Sequence, residues 1–137
     1  MRLVSLVKVD SKGRITIPQT VREALDIDTG MVLVLIADIE KREILISPVS
    51  KAENIYQIEV ELYDKPGALA KLTSKLAELG VDIVTSKCAS IARGETGECT
   101  VIVDLGKSHV SPDEVRTALE NLDVVTVVKI RPFEQAV

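Results

Sequence analysis

The chain has no tryptophan, and its 137 residues include one phenylalanine and two tyrosines. Without large rings, the core must be built from Val, Ile, Leu and Ala. A surface that stacks single-stranded bases on aromatic side chains is disfavoured for the same reason. Histidine occurs once, as His109, with no Ser, Cys or metal-ligand motif beside it, which argues against catalysis. Two cysteines, Cys88 and Cys99, are too few for a zinc framework. They are expected as a pair of reduced thiols on paired strands, with a redox switch as the alternative. No apolar run approaches the roughly 20 residues of a membrane span, and Met1-Arg2-Leu3 does not open a signal peptide. The expectation is a cytoplasmic protein with no membrane partner. Glycine-rich phosphate loops, zinc motifs and nucleophile elbows are also missing, so no catalytic residue, metal site or cofactor is expected.

Present instead is a composition suited to a folded chain: 46% hydrophobic and 28% charged residues. The net charge of −4 is unevenly spread. Residues 1–51 hold eight Lys/Arg against seven Asp/Glu, and residues 52–137 hold nine against fourteen. This balance argues against a generic nucleic-acid coat over the whole chain, but the first third has room for a local basic patch.

Leu6, Val7 and Val9 precede Asp10-Ser11-Lys12-Gly13, and Ile15 and Ile17 follow. This reads as strand, tight turn, strand, with Gly13 taking a positive φ. Pro18 opens a short helix bearing Val21, Ala24 and Leu25, and Asp28-Thr29-Gly30 ends it. Met31–Ala37 and Ile44–Ile46 read as strands around a turn at Glu40-Lys41. Some 50 residues with so few large side chains make a poor monomeric core. Val32–Ile36 also offers apolar side chains to both faces of its sheet. An obligate dimer follows as the expectation.

Residues 50–54 read as a polar linker between a domain at 1–49 and another at 55–137. In the second, Ile58, Val60 and Leu62 alternate with Glu59, Glu61 and Tyr63 as in a half-buried strand. Asp64-Lys65-Pro66-Gly67 is a turn. Leu69, Leu72, Leu76 and Leu79 predict a helical stripe ended by Gly80. Asp82–Ala92 and Cys99–Leu105 predict strands joined by a loop at Arg93–Gly97. Ser111-Pro112-Asp113-Glu114 is a capping box that opens a second helix, and Val124–Ile130 is a final strand. The order β-α-β-β-α-β predicts a ferredoxin-like α+β sheet with both helices on one face, and the other face must be polar or covered.

Two resemblances follow from these residues. Val9-Asp10-Ser11-Lys12-Gly13-Arg14-Ile15-Thr16-Ile17-Pro18, with Val21-Arg22 and Leu25, resembles the swapped-hairpin DNA-binding domain of the AbrB, SpoVT and MazE kind, over about residues 5–49. That resemblance implies a β-rich dimerisation domain of interleaved hairpins. It also implies DNA contact through the matching positions Lys8, Lys12, Arg14 and Arg22. The family often has further basic residues where this chain has Val7 and Glu23, and fewer positive charges release fewer counterions on binding. The β-α-β-β-α-β order together with Asp64-Lys65-Pro66-Gly67-Ala68-Leu69 and Gly80-Val81-Asp82-Ile83 resembles an ACT domain, over about residues 55–132. The resemblance implies a small-molecule site between the first-turn loop of one protomer and the second strand of its neighbour. The candidate ligand-binding residues are thus Asp64, Lys65, Pro66, Gly67, Ala68, Leu69, Asp82 and Ile83. Gly67 admits close backbone approach, the amides that open the helix favour a carboxylate, and Asp64 or Asp82 suits an ammonium group.

Together these imply a ligand-responsive transcription regulator, not an enzyme. Its partners would be double-stranded DNA and an amino acid or related small metabolite, and its state a homodimer or dimer of dimers. The alternative is a module that does not bind DNA: an antitoxin-like partner, or a regulatory subunit passing an amino-acid signal to another protein.

Overall fold

The computed structural model describes residues 1–133. The last four residues of the expected second domain, 134–137, lie outside the described residues. The chain divides into two compact units, Met1–Pro48 and Val49–Val137. Among the described residues no helix is long and apolar enough to cross a membrane.

In the first unit, helix α1 (Gln19–Ala24) follows Pro18, and strands β1 (Leu33–Asp38) and β2 (Glu43–Pro48) pair antiparallel from Leu33↔Pro48 to Asp38↔Glu43. The expected strands flanking Asp10–Gly13 do not form a ladder. Hydrogen bonds close the turn itself, and among the described residues the flanks pair with no strand. The reason lies in the side chains. Leu6, Val9 and Ile15 are exposed, so nothing within this unit offers the flanks an apolar surface to pair over. Val34, at 5% exposure, is the one buried residue among those described in this unit.

The second unit is an α+β sheet of order β4-β5-β3-β6, antiparallel throughout. Its elements are β3 (Ile55–Tyr63), α2 (Ala68–Glu78), β4 (Asp82–Ala92), β5 (Thr96–Asp104), α3 (Pro112–Glu120) and β6 (Val125–Pro132). Ile58, Val60 and Leu62 alternate onto the same face as Cys99, Val101 and Val103, where Leu72, Leu76, Val115 and Leu119 of the two helices cover them. The opposite face is mixed: Gln57 and Glu59 are hydrogen-bonded to each other and Arg131 pairs with Glu59 at 3.3 Å, while Ile102, beside Gln57, is buried and Val127, beside Glu61, is exposed. The capping box forms as predicted, with Ser111 Oγ accepting the Glu114 amide at 3.2 Å.

The α2 stripe differs from the prediction by one residue. Its buried positions are Ala68, Leu72 and Leu76, while Leu69 is 48% exposed. By angle alone Leu69 lies close to that face, about 20° from Leu76 at 100° per residue, but in the first turn of the helix it lines the cleft beside the β3–α2 turn.

The polar segment before β3 is pinned to the end of β5. Asp104, only 5% exposed, accepts the Ser50 amide at 2.8 Å, the Ser50 hydroxyl at 2.7 Å and the Gly106 amide at 2.8 Å. Burial pushes its carboxyl pKa up, but the two Ser50 bonds, the Gly106 bond and the nearby Lys107 charge outweigh that and leave it lowered. Residues Ala52–Asn54 form a single 3₁₀ turn.

Candidate functional site

In the first unit the chemistry is concentrated on one turn. Asp10 Oδ1 accepts the amides of Lys12 at 2.8 Å and Arg14 at 2.9 Å, and Oδ2 accepts Arg14 Nε at 2.9 Å. Gly13 has the expected positive φ, 75°. These bonds, the Arg14 amide foremost, hold the Asp10 carboxyl below the usual carboxylate range. Asp10 therefore stiffens the turn that presents Lys12 and Arg14. The Asp10–Arg14 pair is solvent-exposed, so the guanidinium gives up little in exchanging it for a phosphate. Lys8 precedes the turn and is exposed. Arg22, on α1, donates through Nε to the Ile17 carbonyl at 3.0 Å.

In the second unit a cavity of about 190 Å³ lies where the β3–α2 turn, the start of α2 and the β4–β5 hairpin meet. Gly67, with φ 86°, makes the sharp entry into α2. The Ala68 amide closes the turn on the Lys65 carbonyl at 3.1 Å, while among the described residues the Leu69 and Ala70 amides donate to no backbone acceptor. Lys65 Nζ lies over the Tyr63 ring, 5.1 Å from its centre. Asp64 faces the hairpin: its Oδ2 accepts the Gly94 amide at 2.9 Å and the Ser90 hydroxyl at 3.0 Å. The Gly94 amide, then the Ser90 hydroxyl, lower the Asp64 pKa, against a smaller desolvation effect and with help from Arg93. Asp64 Oδ1 takes neither bond, so one oxygen braces the loop and the other remains available to a ligand.

The structure thus brings Asp64, Lys65, Ala68 and Leu69 together around one cavity. Pro66 and Gly67 shape the turn without lining it. Asp82 and Ile83 lie at the far end of β4, paired with Asp104 and Val103. Sequence reasoning missed Ser90 and the two cysteines as cavity residues. It also expected reduced thiols, whereas Cys88 and Cys99 form a disulfide. The β4–β5 register sets them directly opposite each other, 4.1 Å apart at Cα, on the same face of the sheet. Counting outward from the expected Arg93–Gly97 loop would have set Cys88 opposite Ile102; the loop is shorter, with Ala92 paired to Thr96, and a register shift between Ser90 and Ala92 brings Cys88 opposite Cys99.

Two family models match the chain: MazE_antitoxin, described as antidote-toxin recognition MazE, bacterial antitoxin, over residues 6–54, and the ACT domain over residues 56–124. No curated protein matches. Among solved structures, an unknown protein from Galdieria sulphuraria is similar in fold, at 18% identity over 61% of this chain and 47% of that one, with a TM-score of 0.51. The ACT domain from a GTP pyrophosphokinase of Chlorobium tepidum aligns at 16% identity over 56% of this chain and 96% of that domain, with a TM-score of 0.44. The chain spans just under half the length of the Galdieria protein. Both matched families are regulatory rather than catalytic. The chain belongs to the ACT-domain family and carries a MazE/AbrB-like domain ahead of its ACT domain.

Proposed function

We propose that this regulatory protein is a ligand-responsive transcription regulator whose second unit binds an amino acid or a closely related metabolite. The cavity at the Asp64–Leu69 turn carries the reading. It sets a cation, Lys65, and a half-free carboxylate, Asp64, beside apolar Leu62 and Leu69. A zwitterion fits that pattern. Lys65 and the unengaged amides of Leu69 and Ala70 suit its carboxylate, Asp64 Oδ1 suits its ammonium group, and Leu69 suits an apolar side chain. Asp82 and Ile83, at the other end of β4, would serve the cleft of a neighbouring protomer in a homodimer or dimer of dimers.

The first unit is proposed to hold double-stranded DNA through Lys8, Lys12, Arg14 and Arg22. Its exposed Leu6, Val9, Leu35 and Ile44 support assembly with a second copy before it can act, because so little of its apolar surface is buried alone. Gel shifts across a salt series, with random duplexes and the native upstream region, test this. Binding that weakens steeply with salt is expected; no binding at low salt removes the DNA role.

The description of the first family model, antidote-toxin recognition, favours a second reading in which this unit grips a protein. Glu23 and the overall negative charge agree with it. A pull-down from cell extract that returns one stoichiometric protein, alongside failed gel shifts, would select that reading.

A further inference from the structure

We propose that Cys88–Cys99 is a thiol–disulfide exchange site in the wall of the Asp64–Leu69 cleft, taking small thiols and disulfides of the glutathione class, and that its redox state sets the shape of the cleft. Three observations carry this. Both cysteines line the cleft opposite Ala68 and Leu69. The pair is asymmetric: Cys88 is exposed, whereas Cys99 is 1% exposed and packed in the core. And Cys88 lies on β4, an edge strand of the sheet, so among the described residues no further strand of this unit flanks it. Lys65, in the same cleft, offers a positive charge to a carboxylate of the incoming thiol.

The chemistry balances with two equivalents of thiol. A thiolate attacks Cys88 Sγ, the protein S–S bond breaks, and Cys99 Sγ leaves and takes up a proton. A second thiolate then attacks the outer sulfur of the mixed disulfide, which releases the Cys88 thiol and the small disulfide. In the other direction, Cys88 opens the small disulfide and buried Cys99 resolves the adduct. Reduction obliges two bonded sulfurs to separate to van der Waals contact. The core holds Cys99, so the displacement falls on Cys88 and hence on the cleft wall. The regulatory consequence rests on the cleft being the ligand site; the exchange itself does not.

The test needs no ligand. The oxidised full chain is equilibrated without denaturant in buffers of rising reduced-to-oxidised glutathione ratio. Thiols are then trapped with a maleimide and counted by mass, and amide NMR spectra are recorded for both states. Two thiols should appear together, and the Ala68, Leu69 and Ser90 amides should shift while those of Val115 and Leu119 stay in place. With glutathione disulfide, Cys99→Ala should form its adduct at least about tenfold faster than Cys88→Ala, following the exposure of the remaining sulfur. A disulfide that survives reduced glutathione until the chain is unfolded would overturn the proposal. So would reduction that leaves the cleft amides unmoved. If either variant fails to fold, the wild-type trapping and spectra decide alone.

Discussion

Asp64 and Gly94 are joined across the top of the second unit: the Gly94 amide donates to Asp64 Oδ2 at 2.9 Å, alongside the Ser90 hydroxyl at 3.0 Å. A residue that reads locally as the start of a turn is therefore also the brace of the β4–β5 hairpin. Asp64→Ala should speed hydrogen exchange at Gly94 while leaving the core amides of Ile58 and Leu119 protected. The bond to Gly94, then that to Ser90, lower the Asp64 pKa in the folded protein. The bracing is therefore present above the unfolded carboxyl's pKa and lost as pH falls through the lower folded value. An NMR titration of the Asp64 carboxyl should give a midpoint below its ordinary value; a midpoint at or above that value would contradict the brace.

Gly67 has a left-handed φ of 86°, with no atom near the place an added Cβ would occupy. A side chain there meets open space, so the penalty is backbone strain. Gly67→Val should destabilise the second unit by about 1–3 kcal/mol. It should also block close approach of a ligand to the Leu69 and Ala70 amides. Calorimetric unfolding measured beside ligand binding separates the two effects: a variant with wild-type stability and wild-type binding would remove Gly67 from the account.

Asp104 ties the segment before β3 to the end of β5. Asp104→Ala leaves the Ser50 amide, the Ser50 hydroxyl and the Gly106 amide without their acceptor, and should destabilise the second unit by about 1.5–3 kcal/mol. Gly106→Ala should disturb the same tie, because an added Cβ would overlap the Ser50 side chain. Burial raises the Asp104 pKa, but the Ser50 and Gly106 bonds win and lower it overall. Its stabilisation is thus full above the unfolded carboxyl's pKa, about 3.9, and fades as pH falls through the folded value. Melting curves should fall more steeply below about pH 4 for wild type than for Asp104→Asn.

Arg14 stands on the Asp10-braced turn with its guanidinium exposed. Arg14→Ala should leave folding and assembly intact and weaken DNA binding. A phosphate contact would lower the salt slope by about 1 on every duplex, whereas a base contact would cost about 1–3 kcal/mol on the preferred site alone. Unchanged affinity and slope in a variant that still assembles would take Arg14 out of the interface.

Local signals carried far in this chain. Asp10 and Gly13 in the first turn, Gly67 before α2 and the Ser111 capping box act within four residues of themselves, and each was legible from residue type and spacing. The alternation of Ile58, Val60 and Leu62 likewise marked the core strand of the sheet. Relations between distant residues were less legible: Cys88 and Cys99 are expected on paired strands, but neither their exact register nor their bond could be read. Asp64 with Ser90 and Gly94, Ser50 with Asp104, and Cys88 with Cys99 all depend on which strand lies beside which, and in what register. Leu69 was assigned to the buried stripe because a leucine every three or four residues fits a helix face. Ala68 holds that place instead, which puts Leu69 on the rim of the cleft. Around Asp10–Gly13 the alternation marked residues that seek burial, but not what would bury them.

The most direct measurement is an amide NMR titration of the full chain with each of the twenty protein amino acids. If the Asp64–Leu69 cleft is an amino-acid site, at least one of them should move the Leu69, Ala70 and Ser90 resonances saturably while Thr117 on α3 and Asn121 just after it stay in place. Saturable shifts confined to other parts of the chain, or none with any of the twenty, would contradict it.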